Sequence, residues 1–253
     1  MNKSKVRSHP KHLSRDHIEY RVNNMLSYIF PNQGDDACPP NLEKIVEVLS
    51  TKYGVTFSFS QELCMSAVGE LILGSFASNP PTIRVSSTLP MWSPLFNHTL
   101  AHEIGHLVLH RELVGKGKYI SIEKSLADTK SQLMYRGAAE RSDLGWVEWQ
   151  ANEFAISLIL PKFYLQSLVN KSQKKLRIYR NFGTIYLDDQ NINSLNCRRI
   201  VKNISEISGA SIPFIWSRLR HLGILQDHRS NNVWKDEGTC VYEPILEVIH
   251  TLT

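Results

Sequence analysis

The segment TLAHEIGH, residues 99–106, carries two histidines and a glutamate at the spacing of a metal-binding helix. Residues four apart lie on one face of an α-helix, about 6 Å apart along its axis, so His102 and His106 can ligate one zinc ion through their imidazoles. Glu103 lies about 100° around the helix from His102, where its carboxylate can reach a water beside the metal but not the metal itself. This HExxH pattern is typical of zinc peptidases, in which the glutamate is the general base.

The histidine pattern extends in both directions, because His98, His102, His106 and His110 follow one another at a spacing of four. Such a stripe can also be the ordinary polar face of a helix. Only the pair at 102 and 106 has a glutamate directly after its first member, as peptidase chemistry requires. The sequence therefore predicts metal ligation by that pair, and supporting or structural roles for the two outer histidines.

A catalytic zinc site needs a third protein ligand and one open position. The third histidine of a metzincin motif does not follow His106, so this ligand has to come from another element. The predicted helix over 142–160 offers Glu148 and Glu153, which lie about 140° apart around the axis and cannot both face the metal. Asn152 lies one turn after Glu148 and can hydrogen-bond the far nitrogen of a ligand histidine. Glu148 is therefore the predicted third ligand, and Glu153 is expected to point to solvent.

The elements that position these residues follow from apolar periodicity and from breaker residues. Two amphipathic helices come first, then three strand-like runs, then the metal helix, which begins at Ser93-Pro94 and ends at 109 or 110. An irregular stretch over 115–141 precedes the helix over 142–160, and the run from 198 to 225 reads as helix, glycine turn, helix and strand. This order predicts an α+β fold. The predicted early elements are helices at 16–30 and 41–54 and strands at 55–59, 66–74 and 82–87.

Composition favours a globular protein of the cytoplasm. Of the 253 residues, 42% are apolar and 21% are charged, and no apolar run reaches the roughly 18 residues of a membrane span. The N-terminus lacks the apolar region of a secretory signal, and the four cysteines are scattered, as in a reducing compartment. The net charge of +5 is concentrated in residues 1–15 and 171–180. These basic stretches permit contact with nucleic acid or an acidic partner, but a disordered tail and a solvated loop are the preferred explanation.

Two segments together resemble the ImmA/IrrE family of zinc metallopeptidases: AHEIGHLVLH at 101–110 and EWQANEFAISLILP at 148–161. The resemblance implies a gluzincin-like minimal metalloprotease domain followed by a helix-turn-helix-like module. It assigns the zinc ligands to His102, His106 and Glu148 and the catalytic base to Glu103. Members of the family act inside bacterial cells, and several cut a helix-turn-helix transcriptional repressor encoded nearby, which relieves repression. The implied partner is such a repressor.

The resemblance and the element order together suggest four regions. These are a disordered basic tail at 1–15, a zinc metallopeptidase domain at 16–168, a polar insertion or linker at 169–194, and a helix-turn-helix-like module at 195–253.

The C-terminal module motivates a rival reading, that of a DNA-binding regulator with a non-catalytic metal site. Arg218 and Arg220 would lie on the polar face of its second helix, as on a recognition helix. Direct DNA binding is nevertheless not favoured, because the basic residues of the module are few and its apolar residues are many. A component of a toxin-antitoxin pair is a third reading, which genetic context would distinguish.

Overall fold

A computed structural model describes residues 11–31, 38–60, 62–63, 69–72, 80–114, 120–121 and 143–230 of the chain. Within these ranges there are seven helices and six short strands, which agrees with the predicted α+β class. The helices are α1 (Arg15–Ile29), α2 (Leu42–Tyr53), α3 (Pro94–Val114), α4 (Asp143–Ile159), α5 (Lys162–Lys175), α6 (Asn191–Ser208) and α7 (Ile212–His221). The strands are β1 (Thr56–Ser58), β2 (Gly69–Ile72), β3 (Thr82–Val85), β4 (Ile120–Ser121), β5 (Ile185–Leu187) and β6 (Leu225–Asp227).

The first hydrophobic core lies among α1, α2, α3, α4 and a four-stranded sheet of order β1-β3-β2-β4. Strand β3 pairs parallel with β1 and antiparallel with β2, and β4 pairs antiparallel with β2.

Helix α2 shows why the early elements could be predicted. The Asn41 side chain accepts a hydrogen bond from the backbone N–H of Lys44 at its start, and Gly54 ends it with φ 65°.

Helix α3 begins as its sequence indicates, because the Ser93 hydroxyl accepts a hydrogen bond from the Phe96 backbone N–H at 3.2 Å and Pro94 occupies the first turn. Its apolar side chains enter the core at Phe96, Leu100 and Ile104, all at most 1% exposed. The helix continues to Val114, one turn beyond the predicted end.

The two helices that carry the predicted ligands, α3 and α4, pack closely against each other because a glycine lies at their crossing. A Cβ atom at Gly105 would lie 3.1 Å from both the Ala151 carbonyl oxygen and the Phe154 Cβ. A side chain at position 105 would therefore require α3 and α4 to move apart by a few tenths of an ångström at this level.

A second core forms among α5, α6, α7 and the parallel pair β5–β6. The helix–turn–helix–strand order predicted for 198–225 is present, and Gly209 supplies the turn with φ 69°. Helix α5 and strand β5 were not predicted, because the stretch 170–194 looked like a polar insertion. In α5, polar Ser172 and Gln173 occupy buried positions, so the apolar periodicity is interrupted.

The second core is joined to the first by buried contacts of α7. The Arg218 side chain is 2% exposed, its Nε donates to the Leu160 carbonyl oxygen at 3.0 Å, and its Nη2 donates to Glu19 of α1 at 2.8 Å. Gly209 also lies directly against Pro94, where a Cβ would approach the proline Cγ to 2.8 Å. The helix-turn-helix-like element is thus packed on the helices of the first core.

Parts of the predicted N-terminal tail, irregular stretch and C-terminal module lie within the described residues, and other parts lie outside them. Residues 11–14, assigned to a basic tail, lie against α4, and the Lys11 carbonyl accepts a hydrogen bond there. Most of the irregular stretch 115–141 and residues 231–253 of the C-terminal module lie outside the described ranges. Among the helices that the structure describes, none has the length and hydropathy needed to cross a bilayer.

Candidate metal centre

Helices α3 and α4 bring together His102, His106 and Glu148, whose potential ligand atoms all lie within 4.8 Å of one another. The two histidine Nε2 atoms are 2.9 Å apart. Glu148 places Oε2 3.3 Å from the His102 Nε2 and Oε1 3.6 Å from the His106 Nε2. The three predicted ligands therefore converge as a group that could hold one metal ion.

The donor set fits a small divalent cation such as zinc. Two imidazole nitrogens and one carboxylate oxygen are the ligands of a His₂Glu site, and tetrahedral ligands at about 2.0–2.1 Å from zinc lie about 3.3 Å from one another. The observed separations of 2.9, 3.3 and 3.6 Å bracket that value. Both imidazole side chains are at most 5% exposed, whereas the Glu148 side chain is 28% exposed, so one side of the group remains accessible.

Asn152 lies where the sequence analysis expected it. Its Oδ1 is 2.8 Å from the His102 Nδ1. An amide oxygen only accepts, so the His102 Nδ1 carries the proton and its Nε2 lone pair faces Glu148 and the other histidine. Asn152 therefore fixes both the ring orientation and the tautomer that a metal ligand needs.

Glu103 is fully buried on the same helix, one residue after His102. Its charge is close enough to contribute to raising the pKa of the His102 imidazole. The donor group is the set of possible metal ligands His102, His106 and Glu148. A buried carboxylate beside it can serve as a proton acceptor, as the HExxH pattern indicates.

The two outer histidines of the stripe have different surroundings. His110 is 2% exposed, and its Nδ1 lies 3.1 Å from the His106 Nδ1. Burial, helped by the charge of His106, lowers the pKa of His110 to about 4. His98 stacks on Phe214 of α7 with 4.7 Å between ring centroids, and burial together with the His102 charge lowers its pKa to about 3. Neither belongs to the group of three ligands.

Without a metal, the three ligand side chains differ in how their pKa values are shifted. Burial acts to raise the pKa of Glu148, but the adjacent imidazoles of His106 and His102 hold it well below its usual range. Burial acts to lower the pKa of His102, but its hydrogen bond to Glu148 and the nearby carboxylate charges raise it overall. The pKa of His106 is lowered, chiefly by burial and also by the charge of His102. Of the two ligand imidazoles, His102 therefore has the higher pKa and takes up a proton first when no metal is bound.

Glu153 does not approach the donor group, as predicted from its position on α4. Its expected exposure to solvent was wrong, because Oε1 accepts from Arg15 at 3.1 Å and the side chain is only 13% exposed. Arg15 also lies over the Trp149 ring, 5.7 Å from its centroid. Glu153 thus holds the start of α1 against α4.

Gln150 is a residue of the site that the sequence analysis missed. It is fully buried, its Oε1 lies 3.1 Å from the His110 Nε2, and its Nε2 donates to the Lys11 carbonyl at 2.9 Å. A glutamine two residues after Glu148 gives no spacing signal, since it does not share the helix face of Glu148 and Asn152.

The chain matches no model of a known protein family, and no curated protein is significantly similar to it. Functional inference therefore starts from the donor group and the motifs around it.

Proposed function

We propose that this protein is an intracellular zinc-dependent endopeptidase with a gluzincin-like metal domain, of the ImmA/IrrE type, which cuts a helix-turn-helix repressor at one site. The observation that carries the proposal is the meeting of His102, His106 and Glu148, with Glu103 directly beside the first ligand. This combination favours a peptidase over a purely structural metal site, because a structural site has no need of a buried base beside its ligands.

The chemistry divides between the ion and the chain. A zinc ion held by the three residues would supply Lewis acidity, which polarises a carbonyl and lets a water lose its proton near neutral pH. Glu103 accepts the proton of the attacking water and returns it to the leaving amine. Asn152 keeps the His102 ring in its ligating orientation, and the partly exposed Glu148 side chain leaves the group open to solvent on one side.

We expect selective rather than general proteolysis, with the predicted basic stretch 171–180 as a docking surface for the substrate. The predicted basic stretch 171–180 ends in a loop on which Tyr179 and Phe182 are 70% and 45% exposed. This loop is held in place by Gln173, which donates to the Thr184 carbonyl at 2.8 Å and accepts from the Gly183 N–H at 2.8 Å. Aromatic rings and cations presented on a fixed loop suit a protein partner that carries acidic and apolar side chains.

The rival reading as a DNA-binding regulator has less support. Arg218 is buried in its ion pair with Glu19, so it does not face a DNA groove. Arg220 pairs with Asp227 of β6 at 2.9 Å. The two arginines that suggested a recognition helix are both engaged within the protein.

The experiment that tests the proposal compares the full-length protein with Glu103→Gln. Each is loaded with zinc and incubated with casein and with the repressor encoded by the neighbouring gene. The proposal expects one discrete, Glu103-dependent cut in the repressor and intact casein. Equal cutting by the variant would refute the mechanism, rapid digestion of casein would refute the selectivity, and a sequence-selective, salt-sensitive DNA complex without cleavage would favour the regulator.

A further inference from the structure

A continuous row of buried hydrogen bonds leads from the ligand His106 to the N-terminal segment. The His106 Nδ1 lies 3.1 Å from the His110 Nδ1, and the His110 Nε2 lies 3.1 Å from the Gln150 Oε1. The Gln150 Nε2 then donates to the Lys11 carbonyl at 2.9 Å. The row spans α3, α4 and the residues that precede α1, and its middle members are at most 2% exposed.

The proton positions in this row can be assigned from its far end. A backbone carbonyl only accepts, so the Lys11 oxygen requires the Gln150 amide nitrogen and turns the Gln150 oxygen toward His110. The His110 Nε2 therefore carries its proton, and its Nδ1 is left as an acceptor. His106 must then donate from Nδ1, which leaves the Nε2 lone pair directed at the other ligands. In each bond of the row, the hydrogen-bond donor is therefore the residue nearer the metal ligands, and the acceptor is the residue nearer Lys11.

The segment at the end of the row is itself held on α4. The His12 ring lies 4.7 Å from that of Trp146, and Arg15 pairs with Glu153 at 3.1 Å. These contacts place the Lys11 carbonyl where it can accept from Gln150. The position of the N-terminal segment and the tautomer of a metal ligand are thus linked by fixed contacts.

We propose that His110 and Gln150 are positioning residues that couple metal binding at His106 to the docking of residues 11–15 on α4. A docked segment holds His106 in its ligating tautomer, and a metal on His106 strengthens the bonds that hold the segment. Because such coupling is reciprocal, zinc stabilises the docked segment by the same factor by which the docked segment raises zinc affinity. This proposal rests on the metal site of the proposed function but not on proteolysis.

The test measures zinc affinity of full-length variants by competition with a chromogenic chelator. Gln150→Leu and His110→Leu are expected to bind zinc about 10- to 100-fold more weakly than the wild type. The double variant should lose no more than the larger single loss, because both changes interrupt one row. His12→Ala combined with Arg15→Ala, which leaves the row's side chains intact, should weaken zinc about fivefold or more.

A matched control is available in the second core. Gln173 is also a buried glutamine with three hydrogen bonds to backbone groups, but it lies in α5 away from the donor group. Gln173→Leu should cost stability without changing zinc affinity. An equal loss of zinc affinity in Gln173→Leu would show that general destabilisation, and not the row, is responsible, and would overturn the proposal.

Hydrogen exchange provides a readout that a merely structural role would not move. Zinc should slow amide exchange in residues 11–15 of the wild type and leave it unchanged in Gln150→Leu. Zinc-independent exchange in the wild type, or wild-type zinc affinity in Gln150→Leu, would refute the coupling while the proposed function stands. Failure of the wild-type protein to bind zinc would instead refute the metal site that both proposals need.

Discussion

His98 of α3 and Phe214 of α7 lie with their rings stacked, 4.7 Å apart between centroids and 9° from parallel. The stack connects the second core to the metal helix one turn before His102. Stacked aromatic pairs contribute about 0.5–1.5 kcal/mol beyond the area they bury. Phe214→Leu keeps an apolar side chain and removes the stack. We therefore expect the free energy of unfolding, measured in urea, to fall by about that amount. Phe163→Leu, at a position 66% exposed, is the control and should leave stability unchanged.

Replacement of the proposed base should separate catalysis from metal binding. Glu103→Gln keeps the size of a fully buried side chain but removes the proton acceptor. We expect repressor cleavage to fall by about 10²- to 10⁴-fold, the range of general-base contributions. Zinc content, measured by atomic emission, should stay at the wild-type level. A protein that loses its zinc along with its activity would show that Glu103 supports the metal group and would leave the base unidentified.

The two glutamates of α4 should differ sharply in zinc binding. Glu148→Ala removes a ligand, so the purified variant should retain little zinc, and zinc should no longer raise its melting temperature. Glu153→Ala removes no ligand but breaks the contact with Arg15 that helps to dock residues 11–15, so its zinc affinity should fall far less than that of Glu148→Ala. In the wild type, zinc at 100 times its dissociation constant should stabilise the fold by about 2.7 kcal/mol. Full zinc occupancy in Glu148→Ala would place the third ligand elsewhere.

Most of the donor group could be predicted because helical spacing is a local property. His102 and His106 share a face by virtue of their separation, and Asn152 and Glu148 are paired by the same rule on the next helix. The spacing could not show how α3 and α4 lie against each other. That depends on Gly105, whose missing side chain lets the helices approach, and on packing between residues far apart in the chain.

What the sequence analysis missed has a common physical cause, the burial of polar residues. Gln150 and Gln173 are nearly inaccessible, yet a pattern of apolar and polar residues assigns both to the surface. Gln150 bonds the His110 side chain and the Lys11 carbonyl, and Gln173 bonds backbone groups of residues 181–184; only the folded chain brings these partners within reach. Arg218 was placed on the polar face of its helix for the same reason, because its partner Glu19 belongs to α1.

The affinity for zinc should rise with pH in the neutral range. The pKa of His102 lies above its ordinary 6.5, so a protonated imidazole stabilises the metal-free fold at low pH, and this stabilisation is lost as pH rises through the raised pKa. That proton must leave before His102 can ligate, so affinity should fall about tenfold for each pH unit below the raised pKa. Chelator competition at several pH values between 6 and 8 measures the slope. A flat profile would contradict the assignment of the proton to His102.

Two arginines on α7 offer a comparison between a buried and a partly exposed ion pair. Arg218→Ala leaves the Glu19 carboxylate without its partner in a mostly buried position, so we expect a loss of about 3–5 kcal/mol. Arg220 is 34% exposed and its partner Asp227 also pairs with Arg229, so Arg220→Ala should cost about 0–1 kcal/mol. Chemical denaturation of both variants provides the measurement. Similar losses would mean that the buried pair contributes less than its burial indicates.

The pairing of Glu19 with Arg218 joins residues 199 positions apart, and this has a consequence for the order in which the protein matures at the ribosome. Domains form from the N-terminus as the chain is synthesised, so α1 and both metal-bearing helices are complete long before residue 218 exists. The nascent chain therefore contains its three predicted metal ligands before the arginine that pairs with Glu19 has been made. A chain interrupted before α7 would therefore carry the residues of the metal centre but lack Arg218 and Phe214, which pack against the first core.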